Sequence, residues 1–199
     1  MCQRDEQAPH EPEARSEANW EVGLISVDHP LHRLVADEIG RVLGAEHQLL
    51  RDPACGGNEL LSLFLGPRKS RETRMCCVDA LVVSSGLVRV IVEIEESGFL
   101  PTKICGKVLQ AALATHYIGE PATASAIPYG DDVLFVQVLD GSKLREKTRK
   151  KDQGRLIEHE IQTLLPMRGI THYQLFHATT APHDGGLASV GQAVIAALT

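Results

Sequence analysis

The sequence predicts one mixed α/β domain, and three observations lead there. Apolar residues recur at helical spacing over residues 30–46. Two β-branched runs, 76–83 and 87–95, flank a short turn at Ser84-Ser85-Gly86. Beyond Pro101, helix-period and strand-like segments alternate to the end of the chain. A composition of 199 residues, 43% hydrophobic and 23% charged, with eight aromatics, suits a globular domain and excludes collagen-like, mucin-like and low-complexity classes.

Residues 1–19, with Pro9 and Pro12 among charges, bury too little apolar surface to offset ordering entropy. They read as a flexible acidic tail, leaving 20–199 as a single domain whose folding begins near Trp20. In the helix over 30–46, Asp28 reads as the N-cap, Pro30 suits the first turn, and Leu31, Leu34, Val35, Ile39, Val42 and Leu43 form the apolar face. Arg51-Asp52-Pro53 and Gly56-Gly57 mark a loop. Residues 60–65, bounded by glycine pairs and Gly66-Pro67, read as a strand, with a short helix as the alternative.

Pro101-Thr102 opens a helix to about Ile118. Ile104, Val108, Ala111, Ala112 and Thr115 line its apolar stripe, while Lys103, Lys107 and Gln110 share another face. Residues 132–139 read as an inner strand covered on both faces, 143–165 as a helix, 171–178 as a strand and 187–198 as a closing helix.

No apolar run reaches the roughly 18 residues of a membrane span, because Asp79, Arg89, Glu93 and Glu95 interrupt the most hydrophobic region. Residues 1–20 carry neither a secretory nor an Arg-rich transit pattern, so the expected compartment is the cytoplasm, with no membrane partner. The cysteines at 2, 55, 76, 77 and 105 lack zinc-site spacing and read as reduced, mostly buried thiols.

The net charge of −6 is unevenly spread. Residues 1–21 carry −4, whereas residues 143–155 hold Lys143, Arg145, Lys147, Arg149, Lys150, Lys151 and Arg155 for a net +5. Arg68, Lys69, Arg71 and Arg74 form a smaller basic cluster. Either group can be a phosphate-tracking surface or a solvated face.

The chemistry concentrates in residues 78–95. Side chains alternate along a strand, so Glu93 and Glu95 emerge on one face and Val90, Val92 and Ile94 on the other. With a three-residue turn at Ser84-Ser85-Gly86, Asp79 lies opposite Ile91 and diagonal to Glu93, about 7–8 Å away at Cα and near enough to share a cation. A two-residue turn breaks this parity unless a bulge restores it. Carboxylates this close, beside an apolar sheet, call for a divalent cation or a lysine. The competing reading has them close the strand end by pairing with Lys103, Lys107 or Arg89.

Other sites fail on spacing. Residues 98–107 are not a P-loop, because Pro101 stands where a glycine is required and Val108 follows Lys107. His116, His159, His172, His177 and His183 show no zinc pattern. Cys105 and His116 lie about 16 Å apart along one helix, too far to pair.

Asp79, followed across a hairpin by Glu93-Ile94-Glu95 and then a helix and a strand, resembles the PD-(D/E)XK, or restriction-endonuclease-like, nuclease superfamily. The likeness covers roughly residues 60–139. It implies a mixed-sheet core flanked by helices, Mg²⁺ (or Mn²⁺) held by Asp79 and Glu93, and phosphodiester hydrolysis, of DNA ahead of RNA. Glu95 stands where the family has lysine, as in members with a Glu-x-Glu motif. Glu95 then holds metal or orients water, or a migrated Lys103 or Lys107 serves instead. The likeness also implies a further acid from a preceding segment, with Glu38, Glu46 and Glu59 as candidates. Gln110, Arg149, Lys150 and Lys151 are the expected nucleic-acid contacts, and two-strand cleavage favours a homodimer. The alternative is a nuclease-like module without activity that binds nucleic acid or supports assembly.

Overall fold

The computed structural model describes residues 29–96, 98–120, 125–142, 144, 148–181 and 185–199. The proposed tail, Trp20 and Asp28 lie outside these residues, as do Lys143, Arg145 and Lys147. The elements run α1 (Pro30–Val42), β1 (His47–Arg51), β2 (Leu61–Phe64), β3 (Arg74–Val78), β4 (Ala80–Ser84), β5 (Leu87–Glu95), α2 (Pro101–Leu113), β6 (His116–Tyr117), β7 (Ile127–Asp140), α3 (Lys150–Thr163), β8 (Ile170–Ala178) and α4 (Gly185–Ala196). The strands form one open mixed sheet in the order β1-β4-β5-β7-β6-β2-β3, with β8 also paired to β7. β1, β4 and β5 are antiparallel neighbours, whereas β5, β7 and β8 run parallel.

Two apolar layers sandwich the sheet. On one face, Leu31, Val35 and Ile39 of α1 and Val190 and Val194 of α4 pack against Val82, Val90, Val92 and Val136. On the other, Ile104, Val108 and Ala111 of α2 and Ile161 of α3 cover Leu81, Ile91, Phe135 and Leu139. The continuous apolar run of β7 follows from this, since its inner residues are buried on both sides. Among the described residues no helix is long and apolar enough to cross a membrane.

Several expected boundaries move. α1 ends at Val42 rather than near 46, and residues 47–51, between the expected helix and the expected loop, form the edge strand β1. The run 76–83 is two strands: β3 pairs with β2, β4 with β5, and Asp79 is the break between them. α2 stops at Leu113, giving way to the two-residue strand β6, and α3 starts at Lys150. α1 is capped from a distance: His29 offers no side-chain cap, and the orphan N–H of Leu31 donates to Glu96 Oε1 at 2.9 Å.

The turn of the β4–β5 hairpin is two residues, not three. Ser84 pairs with Leu87, leaving Ser85 (φ 53°) and Gly86 (φ 74°) as the turn, both left-handed as the favoured tight hairpin turn requires. Val83 then pairs with Val88 but Val82 with Val90, so Arg89 is an extra, bulged residue. The bulge puts Val88 and Ile91 in the α2-side core and Val90 in the α1-side core. It restores the parity that a two-residue turn breaks, so that Leu81 faces the same side as Ile91 and Glu93.

Candidate active site

Asp79 lies just past the paired part of β4, beside Val92 rather than diagonal to Glu93. Leu81 pairs with Ile91, Asp79 N–H donates to the Val92 carbonyl at 3.1 Å, and Ile94 N–H donates to Asp79 Oδ2 at 2.5 Å. The loop before β2 steadies this position, since Asp52 N–H donates to the Asp79 carbonyl and Gly57 N–H to the Asp52 carbonyl. Glu93 and Glu95 share the sheet face beneath α2, at the C-terminal end of β5, and Asp79, at the break between β3 and β4, lies close enough for its charge to act on Glu93.

Glu93 is 4% exposed, and its two oxygens differ. Oε1 meets the Lys107 ammonium, whereas Oε2 is buried without a hydrogen-bond partner. One helical turn earlier, Lys103 Nζ stands 3.4 Å from Glu95 Oε2. The four-residue spacing on α2 therefore matches the two-residue spacing on β5, one lysine per glutamate. Gln137 of β7, 1% exposed, is in register with Glu93 and accepts the Tyr173 hydroxyl at 2.9 Å.

Burial raises the Asp79 carboxyl to about 6, although His32 pulls it down. Burial, and then the neighbouring Asp79 charge, push Glu93 to about 8 against the pull of Lys107. Lys107 itself loses solvation, but Glu93 outweighs that and holds the ammonium above the usual lysine value. Cys76 sits close enough to feel Glu93, and burial drives its thiol up to about 12.

α1 supplies a histidine rather than an acid. His32 lies on the buried face with Val35, Ala36 and Ile39, its Nε2 3.7 Å from Asp79 Oδ2 and its Nδ1 3.3 Å from Glu96 Oε1. His29 Nδ1 reaches Glu96 Oε2 at 3.2 Å. Burial raises the Glu96 carboxyl, but His32, His29 and the Leu31 amide overcompensate and hold it below the usual range. A histidine on the apolar face of α1 was the available sequence signal; Glu96, more than sixty residues away, gave none.

The expected additional acids are engaged elsewhere. Glu38 pairs with Arg41, Glu46 is exposed beside His47, and Glu59 accepts from the Tyr117 hydroxyl and the Glu120 amide. Of the described cysteines only Cys55 is fully buried; Cys76 and Cys77 are half-buried and Cys105 is exposed. Gln110 is exposed on α2.

Arg149, Lys150 and Lys151 are exposed at the start of α3. Their helix begins at the same sheet edge as the acids. A Cβ on Gly154 would lie 3.3 Å from both Phe99, just ahead of α2, and His177, at the end of β8. Burial lowers the His177 pKa, and the charges of Lys151 and Arg155 lower it further. The acids and the start of α3 therefore border the edge formed by the C-terminal ends of the parallel strands, where open α/β sheets place their ligands. No protein-family model, curated protein or solved structure matches this chain.

Proposed function

We propose that the Asp79–Glu93–Glu95 cluster is the metal-binding centre of a nuclease with a restriction-endonuclease-like core. The observation that carries this reading is Glu93 Oε2, a buried carboxylate oxygen with no hydrogen-bond partner, on a side chain close to a second, half-buried acid, Asp79. Leaving such an oxygen unpaired is costly, and an all-oxygen donor set suits Mg²⁺, which keeps several of its own waters. The order of elements also supports it: a helix, an antiparallel trio β1-β4-β5, a helix, and β7 parallel to β5.

Asp79 and Glu93 would hold the metal, with Glu95 completing the oxygen set or orienting water. The bound ion supplies a lowered pKa for water and charge stabilisation at phosphate. Lys107, anchored by Glu93, projects an ammonium where an anionic phosphate approaches the acids, and Lys103 does the same beside Glu95. Arg149, Lys150 and Lys151 stand at the N-terminus of α3, where the helix dipole disfavours cations. A local rule broken in this way fits selection for backbone contact rather than for helix stability. DNA is the favoured substrate.

A second reading keeps the binding but not the cleavage. Its support is that Lys107 and Lys103 already neutralise Glu93 and Glu95, while Glu95 itself replaces a lysine. Labelled duplex DNA, single-stranded DNA and RNA incubated with Mg²⁺ or Mn²⁺ separate the two. Metal-dependent cleavage lost in Asp79→Ala and Glu93→Gln is the expected result. Salt-sensitive binding without cleavage by the wild type would leave the binding module.

A further inference from the structure

The geometry points to a separate metal site built from His29, His32 and Glu96, which takes a zinc-class divalent cation. One ligand atom from each of these residues lies within 4.8 Å of the others. His29 Nδ1 and His32 Nδ1 face the two oxygens of one carboxylate, at 3.2 and 3.3 Å. A tetrahedral ion with bonds of about 2.0–2.1 Å spaces its ligands by about 3.3–3.4 Å. Each nitrogen thus stands about one such edge from its own oxygen of the carboxylate, Oε2 for His29 and Oε1 for His32.

A second observation is independent of that spacing. His32 is 7% exposed, and its Nδ1 is buried without an aligned hydrogen bond although a carboxylate oxygen stands beside it. Capping of α1 explains why Glu96 is there, since Leu31 N–H donates to it. It does not explain why two imidazoles turn the same nitrogen toward one carboxylate. A metal accounts for it, taking the Nδ1 lone pair of His32 that no hydrogen bond engages and replacing the single His29 contact.

The other ring nitrogen of His32 fits as well. With Nδ1 on the ion, Nε2 carries the proton and faces Asp79 Oδ2 at 3.7 Å, the carboxylate–histidine–metal order that fixes the tautomer of a ligating histidine. Two imidazoles and one carboxylate select Zn²⁺ over Mg²⁺, which favours oxygen. Three protein ligands leave a fourth position for water. The ion would clamp the start of α1 to the residue following β5.

The test is Zn²⁺ binding by the whole chain, measured by competition with a chromogenic chelator in excess Mg²⁺, with Co²⁺ absorption as the readout of tetrahedral geometry. The expected result is one equivalent in the wild type, with affinity weakened at least about tenfold in His29→Ala and in Glu96→Gln. Glu93→Gln should stay within about threefold of the wild type, since it belongs to the acid cluster. His29 is half-exposed, so its replacement leaves the fold intact, which far-UV circular dichroism verifies. Absent binding, equal binding in both ligand variants, or loss in Glu93→Gln overturns the assignment. Absence of nuclease activity bears only on the acid cluster.

Discussion

Replacing Glu93 by Gln should make the metal-free protein more stable at alkaline pH. The folded carboxyl titrates near 8 against an ordinary value of 4.5, so between those limits the native state holds a proton that the unfolded chain has released. Stability then falls as pH rises, with a slope approaching about 1.4 kcal/mol per pH unit. Below pH 4.5 both states are protonated and the group contributes nothing. Summed from pH 5 to 8, and discounted for the Lys107 ammonium beside the ionised carboxylate, the wild type loses about 2–4 kcal/mol relative to the amide variant. In a chain of this size that is a relative fall in Tm of roughly 5–12 °C. Asp79, raised to about 6, titrates in the same window and its charge acts on Glu93, so the difference between the two proteins reads the pair of acids rather than Glu93 alone. Thermal melts followed by circular dichroism in a chelator, at half-unit pH steps, measure it. Added Mg²⁺ should recover more stability at pH 8 than at pH 5 in the wild type, because the ion competes with the proton. Parallel wild-type and Glu93→Gln curves from pH 5 to 8 would refute the reasoning.

Lys107→Met strips the buried carboxylate of its cation and should cost about 3 kcal/mol near pH 8, much less near pH 5, with Glu93→Gln in the same chain recovering most of it in a double-mutant cycle. The same Lys107→Met change should lower cleavage turnover at least about tenfold with modest loss of DNA affinity, read from single-turnover and binding assays. Reversing Arg149, Lys150 and Lys151 to Glu should weaken binding equally for unrelated sequences and reduce the slope of log affinity against log salt by about 0.9 for every phosphate left unneutralised, as anisotropy titrations measure. Gly57→Ala would set a Cβ 1.7 Å from the Arg51 carbonyl oxygen, so the loop holding Asp79 must shift. Denaturant melts should show a loss of more than about 3 kcal/mol, accompanied by loss of cleavage.

What could be read from the chain alone was local. The shared face of Glu93 and Glu95 follows from strand alternation, and the pairing of Lys103 and Lys107 with them follows from helical spacing; both periods are short. The short strands β1 and β6 carry too few residues for a period to show. The division at Asp79 was hidden because residues 76–78 and 80–83 on either side of it are equally apolar, while the partner strand changes from β2 to β5. His32 lies on an apolar helix face that was legible, but its neighbours Asp79 and Glu96 are brought to it only by the folded sheet. Among the candidates for a further acid, the partners of Glu59 were hidden for the same reason, since Tyr117 and Glu120 are brought to it only by tertiary structure, whereas Glu38 pairs with Arg41 and Glu46 with His47 close by in the chain.

The bulge at Arg89 sets an arithmetic for how this hairpin can change length. Two turn residues and one bulged residue make an odd total between the paired arms, and an odd total keeps Glu93 on the face of Leu81 and Ile91, beneath α2 and beside Asp79. A three-residue turn with no bulge would serve as well. An inserted residue that makes the total even would send one acid into the layer packed by α1 and α4, where it would meet valines instead of Lys107. Relatives of this chain should therefore vary the hairpin by paired insertions or deletions, or by exchanging turn residues for bulges. The number of residues separating the two acids will drift in steps of two, so a search for such relatives should fix the parity of that separation rather than its length.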